Sequence, residues 1–532
     1  MSEDFYKTPA AEACLPVHDQ TGKNDVPPVV LEHLRGTRPW VKFCSLSGYI
    51  AALFIVVIDI IIVRKMLGQY PIHQTIMMAV FYFVLAGLFV IPFMLMLSIT
   101  GLVMLLDDEL ESALYPEALI VQSRASDAMV TISDQLNAVK AQYPDGTVTQ
   151  FITAKSASLP NRFSVNLSDG RSVFATVDPY SGDVIGEIPR SESWYQLANE
   201  IHGTLLVGDW GDYLIEVATS LSILLLVSGI YLWLPRDNAT KAGFLKIRFS
   251  SGTRILMRDI HANLGGTLSL VLLLFLLSGL AWAGFWGGKM VQAWSSFPAQ
   301  MWDDVPLSDK THASLNHGSE EELPWNLEQT PLPESHDHSA MTDEHSHHDV
   351  STESISLEEV MQTASRLGFT YYRVNFPRSE TGVYTITANT MGGDIVDPRT
   401  DRTTHLDQYS GRILGEVTWN DYNVMAKTLA VGISLHQGDI SVVNKILNVL
   451  FCLAFIAVSI TGAVMWWVRR PAGKGKLGVP PKFEDAGIWK AGLMTVVLIS
   501  VLFPLAGATI VIAMLLDWLL FSRVERLKMA LS

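Results

Sequence analysis

Apolar residues dominate six stretches of this chain, near 46–63, 79–106, 213–235, 264–286, 445–468 and 490–521. Each can supply the about 20 helical residues that cross roughly 30 Å of hydrocarbon. Six membrane helices are therefore expected, with Pro504 kinking the last stretch, which is longer than one span needs. Between the runs, over 107–212 and 287–444, the pattern shortens and is broken by Gly, Ser, Asp and Pro, which reads as two α+β domains. The first 40 residues are polar and contain proline, without the basic start and short apolar core of a cleaved signal peptide, and read as a disordered tail.

Charge placement orients these helices, because short loops rich in Lys and Arg stay in the cytoplasm. One such loop carries Arg236, Lys241, Lys246, Arg248, Arg254 and Arg258; the other carries Arg469, Arg470, Lys474, Lys476, Lys482 and Lys490. Both are expected inside, which places 107–212 and 287–444 outside. The acidic Asp107, Asp108, Glu109 and Glu111 flank the second run on that outer side. The first run has basic residues at both ends, so its direction stays open. Its Asp59 is either a functional intramembrane acid or a side chain that snorkels one turn from Arg64.

The chain carries an internal duplication. Asp178-Pro-Tyr-Ser-Gly-Asp-Val-Ile-Gly186-Glu and Asp407-Gln-Tyr-Ser-Gly-Arg-Ile-Leu-Gly415-Glu agree at six of ten positions, each reading as strand, Tyr-Ser-Gly turn, strand. Phe83, Gly87 and Gly101 have the spacings 4 and 14, as do His261, Gly265 and Gly279. His202 precedes Gly229 by 27 residues, and His436 precedes Gly462 by 26. The expected fold is a polytopic α-helical membrane protein with two external α+β domains in a duplicated helix–domain–helix unit. Its expected parts are a tail at 1–40, an extra hydrophobic helix and linker at 41–76, and a first repeat at 77–236 with its external domain at 107–200. A basic loop at 237–257 leads to a second repeat at 258–470 with a His-rich insert at 305–350, then a basic loop at 471–489 and a C-terminal membrane segment at 490–532.

Histidines are the candidate chemistry. His202 and His436 lie at equivalent depths before outward-starting helices, and a His pair on facing helices can hold haem through both axial positions. Pairing them would place one haem b near the external surface. His261 should then pair with position 83, but Phe83 cannot ligate iron, so the inner site stays open and the number of haems is one or two. The alternative for each His is an interfacial side chain bonded to backbone at a helix start. His336, His338, His345, His347 and His348, with His312 and His317, lie among Glu, Asp, Ser and Pro. That composition suits loose binding of a transition metal or an inert solvated linker. Trp282, Trp286, Trp466 and Trp467 lie at helix ends, as interfacial anchors do.

Composition narrows the field. The 532 residues are 49% hydrophobic and only 17% charged, which excludes a purely soluble enzyme. With 38 Lys+Arg against 53 Asp+Glu, a net charge of −15 excludes a nucleic-acid partner. Cys14, Cys44 and Cys452 have no C-x-x-C spacing, so neither a disulfide framework nor covalent haem attachment is expected. No phosphate-binding loop or dinucleotide fingerprint is present.

Several spaced motifs over about 79–520 resemble the PepSY-associated transmembrane proteins of bacteria. They are Ala86-Gly-Leu-Phe-Val-Ile-Pro-Phe, Ser98-Ile-Thr-Gly101, His202-Gly-Thr-Leu-Leu-Val-Gly-Asp-Trp-Gly, Arg258-Asp-Ile-His-Ala-Asn-Leu-Gly265, Trp282-Ala-Gly-Phe-Trp-Gly-Gly288 and Met465-Trp-Trp-Val-Arg-Arg-Pro471. The two Asp-x-Tyr-Ser-Gly elements resemble the PepSY domain signature. The resemblance implies an inner-membrane protein with periplasmic domains, haem b held by His202, His261 and His436, and reduction of a ferric siderophore or other ferric chelate during iron acquisition. Phe83 departs from it, where the family has His. If only an outer haem exists, a membrane quinol is the expected donor. The competing reading is a non-enzymatic PepSY membrane protein for metal handling or partner binding. A transporter is disfavoured, because the sequence shows no discontinuous helix pair or buried charge path.

Overall fold

The structure is a computed structural model that describes residues 72–121, 128–235, 241–291, 305–316, 322–335, 354–469, 494–496 and 498–516. The tail, the first apolar run with Asp59 and the basic loop at 471–489 lie outside the described residues. The chain opens with the apolar helix α1 (Ile72–Leu105), whose end bends by 60° into the acidic α2 (Asp107–Leu114). Next come α3 (Ile132–Gln142), β1 (Thr147–Ile152), β2 (Asn161–Asn166), β3 (Ser172–Val177) and β4 (Val184–Pro189). Then follow α4 (Trp194–Thr204), the apolar α5 (Asp209–Trp233), α6 (Thr253–Thr267) and α7 (Ser269–Leu280). A small ladder pairs β5 (Leu307–Thr311) with β6 (Pro331–Pro333). The chain continues through α8 (Leu357–Arg366), β7 (Arg373–Asn375), β8 (Val383–Ala388), β9 (Arg402–Asp407) and β10 (Ile413–Thr418), then α9 (Val424–Gln437), α10 (Val442–Arg469) and α11 (Pro504–Leu516).

These elements form two units. The helical unit draws its described residues from 72–102, 200–291 and 447–516; the sheet unit draws them from 103–199 and 305–446. The helices α5 and α10 are long and apolar enough to cross a membrane, and the bent pairs α1–α2 and α6–α7 bring the described candidates to as many as four. The two bends are features the apolar pattern does not announce. At the 63° bend between α6 and α7, Thr267 Oγ1 donates to Asn263 O at 2.6 Å and Ser269 Oγ to Gly266 O at 2.8 Å. Hydroxyls that bond back to helix carbonyls bend helices. The last run breaks at Phe503, directly before Pro504, as the missing proline N–H requires. The core of this unit joins Phe89 and Phe93 of α1 to Val217 and Leu221 of α5, Leu276 and Leu280 of α7, and Phe503.

The sheet unit contains one eight-stranded antiparallel sheet in the order β10-β9-β8-β7-β1-β2-β3-β4. Each half is a helix followed by a four-strand meander, and the halves join through their first strands, where Gln150 faces Asn375. Both halves build the same turn. Asp178 Oδ1 accepts from the N–H groups of Tyr180 and Ser181, and Asp407 Oδ1 from those of Tyr409 and Ser410. Gly182 (φ +80°) and Gly411 (φ +67°) take the left-handed position that closes each turn.

Strand alternation separates two faces. One register row, Phe163–Phe151–Val374–Ile386, is fully buried against α3 and α8. The adjacent row, Ser164–Gln150–Asn375–Thr385–His405, points to the other face and is polar, yet every member is buried. The segment around 305–335 satisfies it. Glu322 Oε1 accepts from Arg190 and Arg373, and Glu322 Oε2 accepts from Gln150 Nε2 at 3.1 Å. Arg190 also donates to Ser164 Oγ at 2.7 Å, and Arg373 to Asp394 at 2.6 Å.

Glu322 thus balances two guanidinium groups, one from each half of the sheet. Glu322→Ala should cost roughly 3–5 kcal/mol, because it leaves buried cations with too little negative charge. The check is the thermal unfolding of the purified full chain beside an exposed control, Glu192→Ala. Equal melting temperatures for the two variants would show that the network carries no stability.

Candidate functional site

Two helices of the helical unit, α1 and α10, carry the same four residues, Ser98-Ile-Thr-Gly101 and Ser459-Ile-Thr-Gly462. They run antiparallel. A methyl added at Gly101 would lie 3.8 Å from Cys452 Sγ, and one added at Gly462 would lie 4.0 Å from the Ile91 side chain. Ten residues separate these two levels along each helix, a rise of about 15 Å.

A histidine lies at each level. Thr100 Oγ1 lies 2.8 Å from His202 Nδ1 and bonds back to Met96 O at 2.8 Å and Leu97 O at 3.2 Å. Since the hydroxyl proton goes to the helix carbonyls, His202 Nδ1–H donates to Thr100. At the second level His261 Nδ1 donates to Val458 O at 2.9 Å, with Thr461 Oγ1 at 3.4 Å. A carbonyl can only accept, so that tautomer is fixed. In each ring Nδ1 is the nitrogen held by a helix, which makes Nε2 the nitrogen through which such a histidine would ligate a metal. The glycines leave room for the rings. A Cβ at Gly101 would stand 3.8 Å from His202 Cε1, and one at Gly462 only 3.1 Å from His261 Cε1.

The chain around His202 is tightly built. Leu205 (φ +53°) and Leu206 (φ +60°) both occupy the left-handed region that Leu avoids, just beyond the end of α4. The backbone of α5 then comes so close at Gly211 that a Cβ there would meet Thr204 O at 1.7 Å. Strain and close approach hold this turn, and with it the His202 ring, in one place.

The other candidates fall elsewhere. His436 is half-buried near the end of α9 in the sheet unit, where Gly438 (φ +86°) closes the helix. Phe83 lies within α1. His336, His338, His345, His347, His348 and His317 lie outside the described residues. Among the described residues no group of three or more His, Cys, Asp or Glu is arranged to hold a metal ion.

His312 departs from its composition-based reading as part of a loose metal-collecting stretch, because it is wholly buried beneath the sheet. His312 Nδ1 donates to Thr330 O at 2.6 Å, and its Nε2 lies 2.9 Å from Nε2 of His405, whose role no local sequence pattern signals. The carbonyl fixes every proton in the chain. His312 Nε2 must accept, so His405 Nε2–H donates and His405 Nδ1 accepts from Thr385 Oγ1 at 2.9 Å. Burial holds the His312 pKa down at about 4 and that of His405 well below the ordinary imidazole value.

Apolar helices long enough to cross a bilayer, in a chain that also carries an antiparallel sheet, define a membrane protein. The family model for the PepSY-associated TM region matches residues 84–469. The chain belongs to that family. No curated protein matches it.

The buried His pair generates a pH dependence. With a folded value near 4 against 6.5 for an exposed imidazole, the unfolded chain binds protons first as the pH falls. The stabilisation is whole above the ordinary value and is lost on acidification through the window between the two, to the extent of about 3 kcal/mol for His312. The difference in melting temperature between wild type and His312→Gln should therefore shrink as the pH is lowered through that window. A difference that stays constant with pH would disprove the neutral-pair assignment.

Proposed function

We propose that this protein is a haem-b oxidoreductase of the bacterial inner membrane that reduces a ferric siderophore or other ferric chelate at the periplasmic face during iron acquisition. The observation that carries the reading is the paired arrangement at Thr100 and Thr461. Two histidines of the helical unit, about 15 Å apart along α1 and α10, have Nδ1 held by a helix. That donor set fits haem iron, and Gly101 and Gly462 make the space beside each ring. The repeat assigns His436 the role in the second copy that His202 has in the first. The twofold construction of the sheet supports the duplication, since both halves repeat helix, four strands and the same Asp-x-Tyr-Ser-Gly turn.

When bound, haem supplies one-electron transfer through apolar protein. His202 and His261, at separate levels, would each offer one ligand to a haem, and Thr100 and Val458 would hold each ring by Nδ1 so that Nε2 faces the iron. The apolar α1, α5, α7 and α11 contacts exclude water. The basic loops, expected inside by their Lys and Arg, support an outward-facing sheet unit, where a chelate too large and polar to enter the helices could dock. Reduction of Fe(III) to the softer Fe(II) loosens hard oxygen donors and releases the metal. A membrane quinol is the proposed electron donor.

The test is a reduced-minus-oxidised visible spectrum of the purified full chain with a haem-to-protein ratio. His202→Ala and His261→Ala should each lower the ratio, whereas His336→Ala should leave it unchanged. Thr100→Val should weaken haem retention by about tenfold or more while the chain still folds. A wild-type protein that takes up no haem would refute this reading and favour the non-enzymatic role in metal handling or partner binding.

A further inference from the structure

A line of polar side chains runs down one face of α5 into the helical unit. Asp209 is exposed, Asp212 is half-buried, Glu216 is 1% exposed and Ser220 is wholly buried. The spacings of three, four and four residues keep them on one face, and Asp212 to Ser220 spans about 12 Å of helix. Asp212 Oδ2 accepts from Gly284 N at 2.9 Å, and Glu216 Oε2 accepts from Trp286 N at 3.1 Å. The other Glu216 oxygen, Oε1, and the Ser220 hydroxyl, one turn deeper, have no hydrogen-bond partner among the described residues. Nor does either carboxylate form an ion pair with a described residue. Ser222, two residues on, bonds to its helix carbonyl in the ordinary way.

An unpaired carboxyl oxygen and an unpaired hydroxyl in an apolar interior are costly. They are also complementary, because one O–H group between them could donate to Glu216 Oε1 and accept from Ser220 Oγ. Residues four apart on a helix lie about 5–6 Å from one another, which suits one bridging oxygen. The wall beside them is aromatic and apolar. Trp286 packs on Phe503 at 5.6 Å between ring centres and donates its Nε1–H to Leu502 O, and Leu221 and Leu224 follow on α5. A flat aromatic ring bearing a hydroxyl, dissolved in the lipid phase, matches this chemistry.

We propose that Glu216 and Ser220 bind the hydroxyl of a membrane hydroquinone and that Glu216 is the base that takes its proton, an inference that rests on the haem oxidoreductase reading. Oxidation of one hydroquinone to quinone breaks two O–H bonds and releases two protons and two electrons. The two electrons reduce two ferric ions of the chelate to ferrous ions; haem held by the helical unit would carry them. The proton of the bound hydroxyl passes to the Glu216 carboxylate and leaves by way of Asp212 and the exposed Asp209, and the second hydroxyl gives its proton to water. Glu216→Gln keeps the shape and the bond from Trp286 N but cannot accept the proton.

The experiment uses full-length protein in lipid nanodiscs and follows haem reduction by duroquinol in a stopped-flow instrument, with dithionite as the proton-independent reductant. Glu216→Gln should slow reduction by duroquinol about a hundredfold with the dithionite-reduced spectrum unchanged, and Glu216→Asp should recover part of the rate. Ser220→Ala should raise KM for duroquinol more than it lowers kcat. It keeps the proposal testable if the Gln variant fails to fold. Haem-loaded Glu216→Gln that duroquinol reduces at the wild-type rate, or an unchanged KM in Ser220→Ala, would overturn the assignment and leave the haem reading standing. A wild-type protein without haem would overturn both.

Discussion

Much of the helical unit depends on two short hydrogen bonds donated by imidazole N–H groups. A histidine in an apolar interior is costly unless its polar atoms have defined partners, and here α1 and α10 each supply one at or beside the same four-residue sequence. The threonine hydroxyl is already bonded to its own helix, so at His202 it can only accept. At His261 the carbonyl of Val458 performs that task, with Thr461 beside it. The glycine that follows each threonine brings the ring against the helix. At Gly462 hydroxyl and glycine act together, since a Cβ there would stand only 3.1 Å from His261 Cε1 and press the ring away from its acceptor.

The sheet unit meets a related problem by other means. A sheet with apolar residues on one face and buried polar residues on the other needs a cover that can match many hydrogen-bonding groups at once. The segment around 305–335 supplies this with Glu322, which neutralises Arg190 and Arg373, and with His312, which completes a chain of four groups ending at Thr385. Both contacts bridge segments far apart in sequence. They explain how β1 and β7 can pair at the centre of the sheet rather than remain exposed edges, because the polar row crosses that junction and the cover binds both sides of it.

The sequence reveals the apolar runs, the break at Pro504 and the two Asp-x-Tyr-Ser-Gly turns because each is a local property: hydropathy, a missing N–H, a glycine at positive φ. It also brings His202 and His261 forward. The shared Ser-Ile-Thr-Gly at 98–101 and 459–462 is the sequence signal for their partners. The joining of the two halves through β1 and β7 is not legible, because strand pairing between distant segments rests on backbone groups that every sequence shares. His312 was grouped with its His-rich surroundings by composition, whereas its role follows from one carbonyl and from His405. The alternation Thr403, His405, Asp407 along β9 signals a polar face without saying that the face is buried.

Phe83 has a different meaning once the local geometry is known. The repeat makes position 83 the counterpart of His261, so the phenylalanine removes an expected partner across the helices. It does not remove what orients His261, because that bond comes from Val458 on α10 and the space comes from Gly462. Absence of a partner at position 83 and absence of a held His261 ring are separable, and the contacts of His261 with Val458 and Gly462 keep the ring held. The helical unit keeps the buried carboxyl of Glu216 and the unpaired hydroxyl of Ser220 in the same apolar setting. Polar groups retained at such a cost are more naturally explained by use in chemistry than by a contribution to stability, which apolar side chains of similar size would supply better.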